Sequence, residues 1–228
     1  MNMEKTNAGL AAHCEMALSQ GWYYLWGTYG EIATQALLDA NIKQYPDNAS
    51  WRSYAAGAIG KTRFSDCYGL VKSYLWWADD NGNPKYNAAQ DVNTSMAYVS
   101  ASERGPLSTL PEMPGIVLWM NGHVGVYMGG GRFLECRGGG VGMAEGAVSK
   151  GVITKGSKFT NWFKDRNIVY LADDGAGPGA IEGNLSILES AGIVQSPDYW
   201  LNNYTKLEYV DQLIGNMAAY VAKQEKPR

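Results

Sequence analysis

Two residues of this chain have side chains suited to nucleophilic catalysis, Cys67 and His123. The apolar residues after Cys67 recur every three to four positions, which predicts a helix that Ser65 or Asp66 can cap. The first turn of a helix presents free backbone N–H groups and the positive end of the helix dipole, and both stabilise a thiolate. A free cysteine is more often a small buried apolar residue, so a nucleophile also needs a base.

His123 is the candidate base, because it begins a segment, residues 123–128, that alternates like a half-buried strand. The three glycines at 129–131 predict a turn, and residues 132–137 read as the returning strand of a hairpin. If the loop has three residues, Glu135 shares a face with His123 and accepts an imidazole N–H. A two- or four-residue loop would turn Glu135 to the opposite face.

A cysteine, a histidine and a polar third residue form the triad of a cysteine peptidase, in which the third residue orients the imidazole. Residues 66–71 (DCYGLV) resemble the D-C-S-G-L-V nucleophile motif of the NlpC-type, papain-like family of bacterial and phage cell-wall peptidases. Residues 114–119 (PGIVLW) and 122–129 (GHVGVYMG) resemble two strand motifs of that family, and residues 23–27 (YYLWG) its P-Y-x-W-G segment. The four motifs occur in the family's order, and the resemblance covers roughly residues 8–172.

The resemblance implies an α+β, papain-like fold with N-terminal helices packed on a central antiparallel sheet. It implies Cys67 as nucleophile, His123 as base and Glu135 as the orienting third residue. The backbone N–H of Cys67 would contribute to an oxyanion hole. Three further side chains are assigned to substrate binding, namely those of Tyr24, Asp66 and Tyr68.

The implied reaction is hydrolysis of a peptide bond in a peptidoglycan stem peptide, after γ-D-glutamyl and before a diamino acid. An N-acetylmuramoyl-L-alanine amidase uses the same acyl-transfer chemistry and is the nearest alternative. A catalytically impaired cell-wall-binding protein is the alternative outside the enzymes. No cofactor and no metal is expected, since no cysteine or histidine cluster has metal-ligand spacing.

Three positions depart from the family's motifs. Tyr68 stands where serine is usual and bears on the shape of the substrate subsite, and Ile116 replaces an aspartate. Glu135 replaces a histidine or asparagine, and its charge should hold His123 more strongly as imidazolium. A nearby imidazolium and the helix start together predict a Cys67 pKa below the free value of about 8.5.

The interval from Trp26 to Cys67 is longer than in the family. Within it, residues 31–40 read as a short amphipathic helix, and the insertion forms either a wall of the cleft or an inert surface elaboration. Cys14 is expected in the core, and His13 is expected to be exposed or to cap the first helix.

The chain is predicted to contain two domains. Residues 1–172 form the peptidase domain, residues 173–180 a turn-rich linker, and residues 181–228 a small all-helical module. Residues 192–200 resemble a helical segment found in phage and prophage cell-wall enzymes. The module is either a cell-wall contact or a helical cap.

Composition indicates a globular chain of 228 residues that is 46% hydrophobic and 18% charged, with a net charge of −3. No basic stripe is present, so nucleic acid is not an expected partner. No apolar run is long enough to span a membrane, and the polar start lacks a signal-peptide pattern. The expectation is synthesis in the cytoplasm without a signal peptide and action at the bacterial cell wall after release, as in a phage lysin.

Overall fold

The computed structural model divides the chain into two compact units, Met1–Tyr170 and Leu171–Arg228. It describes residues 5–77 and 82–171, together with residues 185, 188–189, 192–196, 199–200, 214–215 and 217. The predicted linker at 173–180 and most of the predicted module at 181–228 lie outside the described residues. The architecture below is that of the first unit.

In the described part of the first unit, the helices lie in the first two thirds of the sequence and most of the strands follow them. The helices are α1 (Asn7–Ser19), α2 (Gln35–Gln44), α3 (Arg52–Ala56), α4 (Gly69–Trp76) and α5 (Thr94–Val99), with 3₁₀ turns at Pro46–Trp51, Ala88–Gln90 and Leu107–Thr109. The strands are β1 (Tyr23–Tyr24), β2 (Tyr29–Ile32), β3 (Arg63–Ser65), β4 (Glu103–Pro106), β5 (Val117–Met120), β6 (His123–Gly129), β7 (Arg132–Arg137), β8 (Gly142–Ser149), β9 (Val152–Lys155) and β10 (Asn161–Lys164).

The strands form two sheets. Seven of them make an antiparallel sheet in the order β4-β10-β5-β6-β7-β8-β9, and the other three make a small sheet in the order β1-β3-β2. In the small sheet β1 runs parallel to β3, and β2 runs antiparallel to it. The mixture of helices with a central antiparallel sheet confirms the predicted α+β class.

Helices α1 and α4 pack on the sheet through an apolar core. Leu10 and Cys14 of α1, Leu70 of α4 and Val126 of β6 belong to one buried cluster, each with 1% of its surface exposed or less. Burying a leucine side chain in this way contributes about 1.5–3 kcal/mol. The predicted core position of Cys14 is confirmed. A separate cluster, which includes Phe133 of β7, fills another part of the sheet.

The hairpin between β6 and β7 does not have the three-residue loop that the glycines suggest. Gly129 pairs with Arg132, so the loop contains only the two residues 130–131. A shift of register lies between Tyr127 and Gly129, which makes Met128 the extra residue of a β-bulge. The sequence could not indicate this bulge, because a run of glycines accommodates several turn geometries.

The bulge restores the register that a three-residue loop would have given. Val126 pairs with Leu134 and Tyr127 with Phe133, and the next position in this register puts Glu135 opposite Gly125. A two-residue loop without a bulge would have rotated Glu135 to the other face of the sheet. The predicted facing of Glu135 is therefore correct, although the predicted loop is wrong.

The insertion between Trp26 and Cys67 folds around a cluster of its own. Its buried residues are Leu25, Ala33, Leu38, Ala55, Ala58 and Phe64. Helix α2 starts later than the predicted segment 31–40, because Thr34 caps it by accepting a hydrogen bond from the N–H of Leu37. The residues before Thr34 pair as β2 instead.

Among the residues that the structure describes, no helix has both the length and the apolar character needed to cross a membrane.

Candidate active site

Cys67 lies on the turn between β3 and α4, and Asp66 holds that turn in place. One oxygen of the Asp66 carboxylate accepts from the N–H of Gly69 at 2.5 Å and the other from Gly27 at 2.9 Å. A Cβ at Gly69 would collide with the carbonyl oxygen of Thr28, so only glycine permits this close approach. The backbone uses both Asp66 oxygens, and the predicted contact of Asp66 with the substrate stays a prediction.

The thiol of Cys67 contacts the backbone next to His123. Its Sγ lies 4.0 Å from the carbonyl oxygen of Gly122, the residue before that histidine. Cys67 is 7% exposed. No direct hydrogen bond joins Cys67 to His123 in the described part of the chain, so β6 brings the two residues together through its backbone.

The acidity of Cys67 is opposite to the predicted direction. Burial, followed by the negative charge of Asp66, raises the pKa of Cys67 to about 12. Hydrogen bonds from backbone N–H groups act in the other direction and are outweighed. The expected lowering of the pKa is therefore wrong for the substrate-free chain, because desolvation dominates over the helix start. The resting thiol is protonated at neutral pH.

His123 is held by one hydrogen bond and one aromatic contact. Its Nε2 lies 2.7 Å from an oxygen of Glu135, which confirms the predicted proximity of these residues. The imidazole stacks on Phe159, with ring centroids 5.5 Å apart and an angle of 14° between the ring planes. The contact with Glu135 uses Nε2 and leaves Nδ1 for proton exchange.

Glu135 is fully buried and ionised. Its second oxygen accepts from the N–H of Ser157 at 3.1 Å and lies 3.7 Å from Nη1 of Arg137. Burial by itself raises the pKa of Glu135, but the hydrogen bonds from His123 and Ser157 outweigh it and hold the pKa below 4.5. Since an ionised carboxylate only accepts, Nε2 of His123 carries a proton, and Nδ1 is the acceptor when the ring is in its neutral form.

Sequence reasoning missed the support for Glu135 from residues 156–157. Gly156 has a φ of +96°, and a Cβ there would lie 2.8 Å from Phe133 and 3.0 Å from the Glu135 carboxylate. Ser157 then donates its N–H to that carboxylate. A glycine followed by a serine indicates a turn, but nothing in the sequence connects this turn with Glu135.

Tyr24 lies close to the nucleophile. It is on β1, where it pairs with Ser65, two residues before Cys67. Burial, and then the negative charges of Cys67 and Asp66, raise the pKa of the Tyr24 hydroxyl, which therefore stays protonated. The ring is half-buried and packs on Trp51 with centroids 5.8 Å apart. Its predicted contact with the substrate or the oxyanion stays a prediction that this location favours.

Tyr68 is not part of this group of side chains. Its hydroxyl donates to the buried carboxylate of Asp165 at 2.5 Å, and only 3% of the residue is exposed. Burial, and then Asp165, raise the pKa of the Tyr68 hydroxyl. The side chain is thus engaged in the core, and its predicted substrate contact has no structural support.

His13 is buried, so its predicted exposure is wrong. Its Nε2 lies 2.7 Å from the hydroxyl of Ser73, and its ring packs edge-on against Trp22 and Trp77. Burial lowers the pKa of His13 to about 3, with a smaller effect from nearby cations. The residue has a packing role between α1 and α4.

The described residues contain no group of three or more histidine, cysteine, aspartate or glutamate side chains arranged to hold a metal ion. Comparison with protein-family models, with curated proteins and with solved structures gave no match.

Proposed function

We propose that this protein is an NlpC-type cysteine peptidase that hydrolyses peptide bonds in peptidoglycan stem peptides. The observation that carries the proposal is the 2.7 Å hydrogen bond between Nε2 of His123 and buried, ionised Glu135. This bond fixes the imidazole, and the thiol of Cys67 contacts the carbonyl oxygen of Gly122, the residue before the same histidine. These contacts support the assignment of Cys67 as nucleophile, His123 as base and Glu135 as orienting group.

The architecture agrees with a papain-like arrangement. The candidate nucleophile lies at the start of α4, and α4 packs against the antiparallel sheet that carries the base and the third residue. Since a fold alone does not determine an activity, the fold supports the proposal only together with the site.

In the proposed mechanism, Nδ1 of His123 takes the thiol proton while Sγ of Cys67 bonds to the scissile carbonyl carbon. Because the resting thiol is protonated, this proton transfer accompanies the attack and requires the thiol to leave the carbonyl oxygen of Gly122. The backbone N–H of Cys67 and the hydroxyl of Tyr24 stabilise the oxyanion.

Collapse of the tetrahedral intermediate breaks the C–N bond, and the imidazolium gives its proton to the leaving amine. A water molecule, deprotonated by His123, then attacks the thioester. This step releases the new carboxylic acid and returns the thiol of Cys67. Glu135 stays ionised throughout and stabilises the imidazolium.

The deciding experiment is digestion of purified peptidoglycan, with the new termini identified by mass spectrometry. A new free amine on the diamino acid indicates the proposed γ-D-glutamyl endopeptidase, whereas glycan without peptide indicates an amidase. Cys67→Ala and Cys67→Ser should give no products because they lack the nucleophile. Full digestion by Cys67→Ala would refute the cysteine-peptidase mechanism, and wall binding without products from the wild type would favour the binding protein.

The proposal includes action at the bacterial cell wall after release from the cytoplasm. In the C-terminal unit, Tyr199 is 62% exposed and its ring lies 5.8 Å from that of Trp200, which suits a wall contact. Co-sedimentation of full-length Cys67→Ala protein with purified walls tests this contact. A Tyr199→Ala/Trp200→Ala variant should sediment less, and unchanged sedimentation would argue for the helical cap.

A further inference from the structure

Arg137, at the end of β7, has a hydrogen-bond donor, Nε, that no described residue uses. It is two residues after Glu135 and therefore on the same face of the strand. In the register of Val126 with Leu134, the position of Arg137 is opposite that of His123. About 41% of its side chain is exposed, so part of the guanidinium reaches the surface beside the candidate site.

The Nε atom of Arg137 is buried and has no hydrogen-bond partner among the described residues. Glu135 does not supply one, because its closest approach to Arg137 is 3.7 Å and its oxygens already accept from His123 and Ser157. A buried donor without a partner is unfavourable and uncommon. The exposed part of the side chain, about 41%, is where an acceptor from outside the chain can bind the guanidinium.

Gly138, the residue after Arg137, lies next to aromatic side chains of the candidate site. A Cβ at Gly138 would lie 2.7 Å from the ring of Trp51 and 3.5 Å from that of Tyr24. Tyr24 in turn lies close to Cys67, because it pairs with Ser65, two residues before the nucleophile. Trp51 belongs to the insertion, so the insertion contributes to this wall of the site. Arg137 is thus next to a surface that leads to the nucleophile.

The chemistry of an arginine in this position indicates its ligand. A guanidinium offers paired N–H donors that match the two oxygens of a carboxylate. A γ-linked glutamyl residue keeps its α-carboxylate on the same residue that supplies the scissile carbonyl. An amidated residue at that position has lost the charge and replaced one acceptor with a donor.

We propose that Arg137 binds the α-carboxylate of the γ-D-glutamyl residue and so selects stem peptides in which this group is free over those in which it is amidated. This inference rests on the proposed function and names the substrate feature that the site recognises.

The test compares two synthetic tripeptides, L-Ala-γ-D-Glu-L-Lys and its α-amidated form, with the full-length protein. The wild type should show a kcat/KM about 10- to 100-fold higher for the free carboxylate, as expected for a charge-assisted pair. Arg137→Gln should remove most of that preference by lowering only the rate on the carboxylate peptide. Arg137→Lys should retain part of it, because lysine keeps the charge but not the paired donors.

Arg52→Gln is the matched control, because Arg52 is an exposed arginine of the insertion paired with Asp39. It should leave both rates unchanged. An equal loss on both peptides in Arg137→Gln would mean that Arg137 only positions Glu135, and this would overturn the inference. A wild type without any preference would do the same. Thermal unfolding of each variant shows whether it is folded.

Binding measurements separate this inference from the proposed function. Calorimetry with Cys67→Ala should give a lower Kd for the carboxylate peptide, and the added Arg137→Gln change should make the two Kd values similar. Absence of hydrolysis by the wild type, with this Kd pattern intact, would reject the proposed function but not the carboxylate site. An unchanged Kd ratio in the double variant would reject the site even if hydrolysis occurs.

Discussion

Replacing Glu135 with glutamine tests the central contact of the site. Both Glu135 oxygens accept hydrogen bonds, one from Nε2 of His123 and one from the N–H of Ser157. Glutamine has one acceptor oxygen and one donor NH₂ group. If its oxygen keeps Ser157, its NH₂ faces Nε2 and favours the His123 tautomer with the proton on Nδ1. That tautomer cannot accept the thiol proton of Cys67.

The size of the effect follows from the contact that is lost. A hydrogen bond to a charged group contributes about 1.5–3 kcal/mol, which corresponds to about 10- to 150-fold in rate. We expect Glu135→Gln to lower kcat by about this factor with little change in KM, because Glu135 is buried and does not touch the substrate. Activity should remain measurable, since the nucleophile and the oxyanion donors are intact.

The assay is kcat and KM on a stem peptide, together with urea unfolding. Glu145→Gln is the control, because Glu145 is an exposed carboxylate on the neighbouring strand β8, and it should keep wild-type kinetics. Since the pKa of Glu135 is held below 4.5, its stabilising effect is complete above that pH and is lost as the pH falls through the lower folded value. A Glu135→Gln rate within twofold of the wild type would refute the reasoning.

Three further predictions follow from the packing of the site. Iodoacetamide labelling of Cys67 should be slow at neutral pH. Its rate should rise about tenfold per pH unit up to pH 10, because the thiolate fraction rises by that factor below the raised pKa. A plateau of the rate near neutral pH would instead indicate a preformed ion pair. Tyr68→Phe leaves a buried oxygen of the Asp165 carboxylate without its donor, so it should lower the free energy of unfolding in urea by about 1–3 kcal/mol. A tenfold loss of kcat/KM at unchanged stability would instead support the predicted substrate contact of Tyr68. Gly156→Ala should lower both stability and kcat, because the new Cβ meets the Glu135 carboxylate. Gly130→Ala, also at positive φ but in open space, should affect stability alone, and equal kinetic losses in the two variants would contradict this view.

The secondary structure around Cys67 and His123 could be predicted from the sequence, because it depends on the spacing of neighbouring residues. A three-to-four-residue spacing located α4, and strand alternation located β6 and β7. The facing of Glu135 depended on an assumed loop length, and it was correct only because the bulge at Met128 compensates for the shorter turn. Bulges depend on packing across the sheet, which a single strand sequence does not contain.

Other features depend on contacts between distant segments and could not be predicted. His13 is buried because Ser73 and two tryptophans from other elements surround it. Tyr68 is in the core because Asp165, 97 residues away, accepts a hydrogen bond from its hydroxyl group. The predicted pKa of Cys67 was wrong for a related reason, since local motif chemistry indicated a helix start but not the extent of burial.

The choice of glutamate at position 135 places requirements on its surroundings. A fully buried carboxylate is costly unless every oxygen is paired, whereas an asparagine or histidine in that place would carry no permanent charge. His123 satisfies one oxygen and Ser157 the other, and the approach of Ser157 requires a glycine at position 156. Because each Glu135 oxygen already accepts a hydrogen bond, the carboxylate does not need Nη1 of Arg137, 3.7 Å away, to neutralise it. The same set of contacts that makes Glu135 tolerable as a third residue therefore leaves the guanidinium available for the substrate.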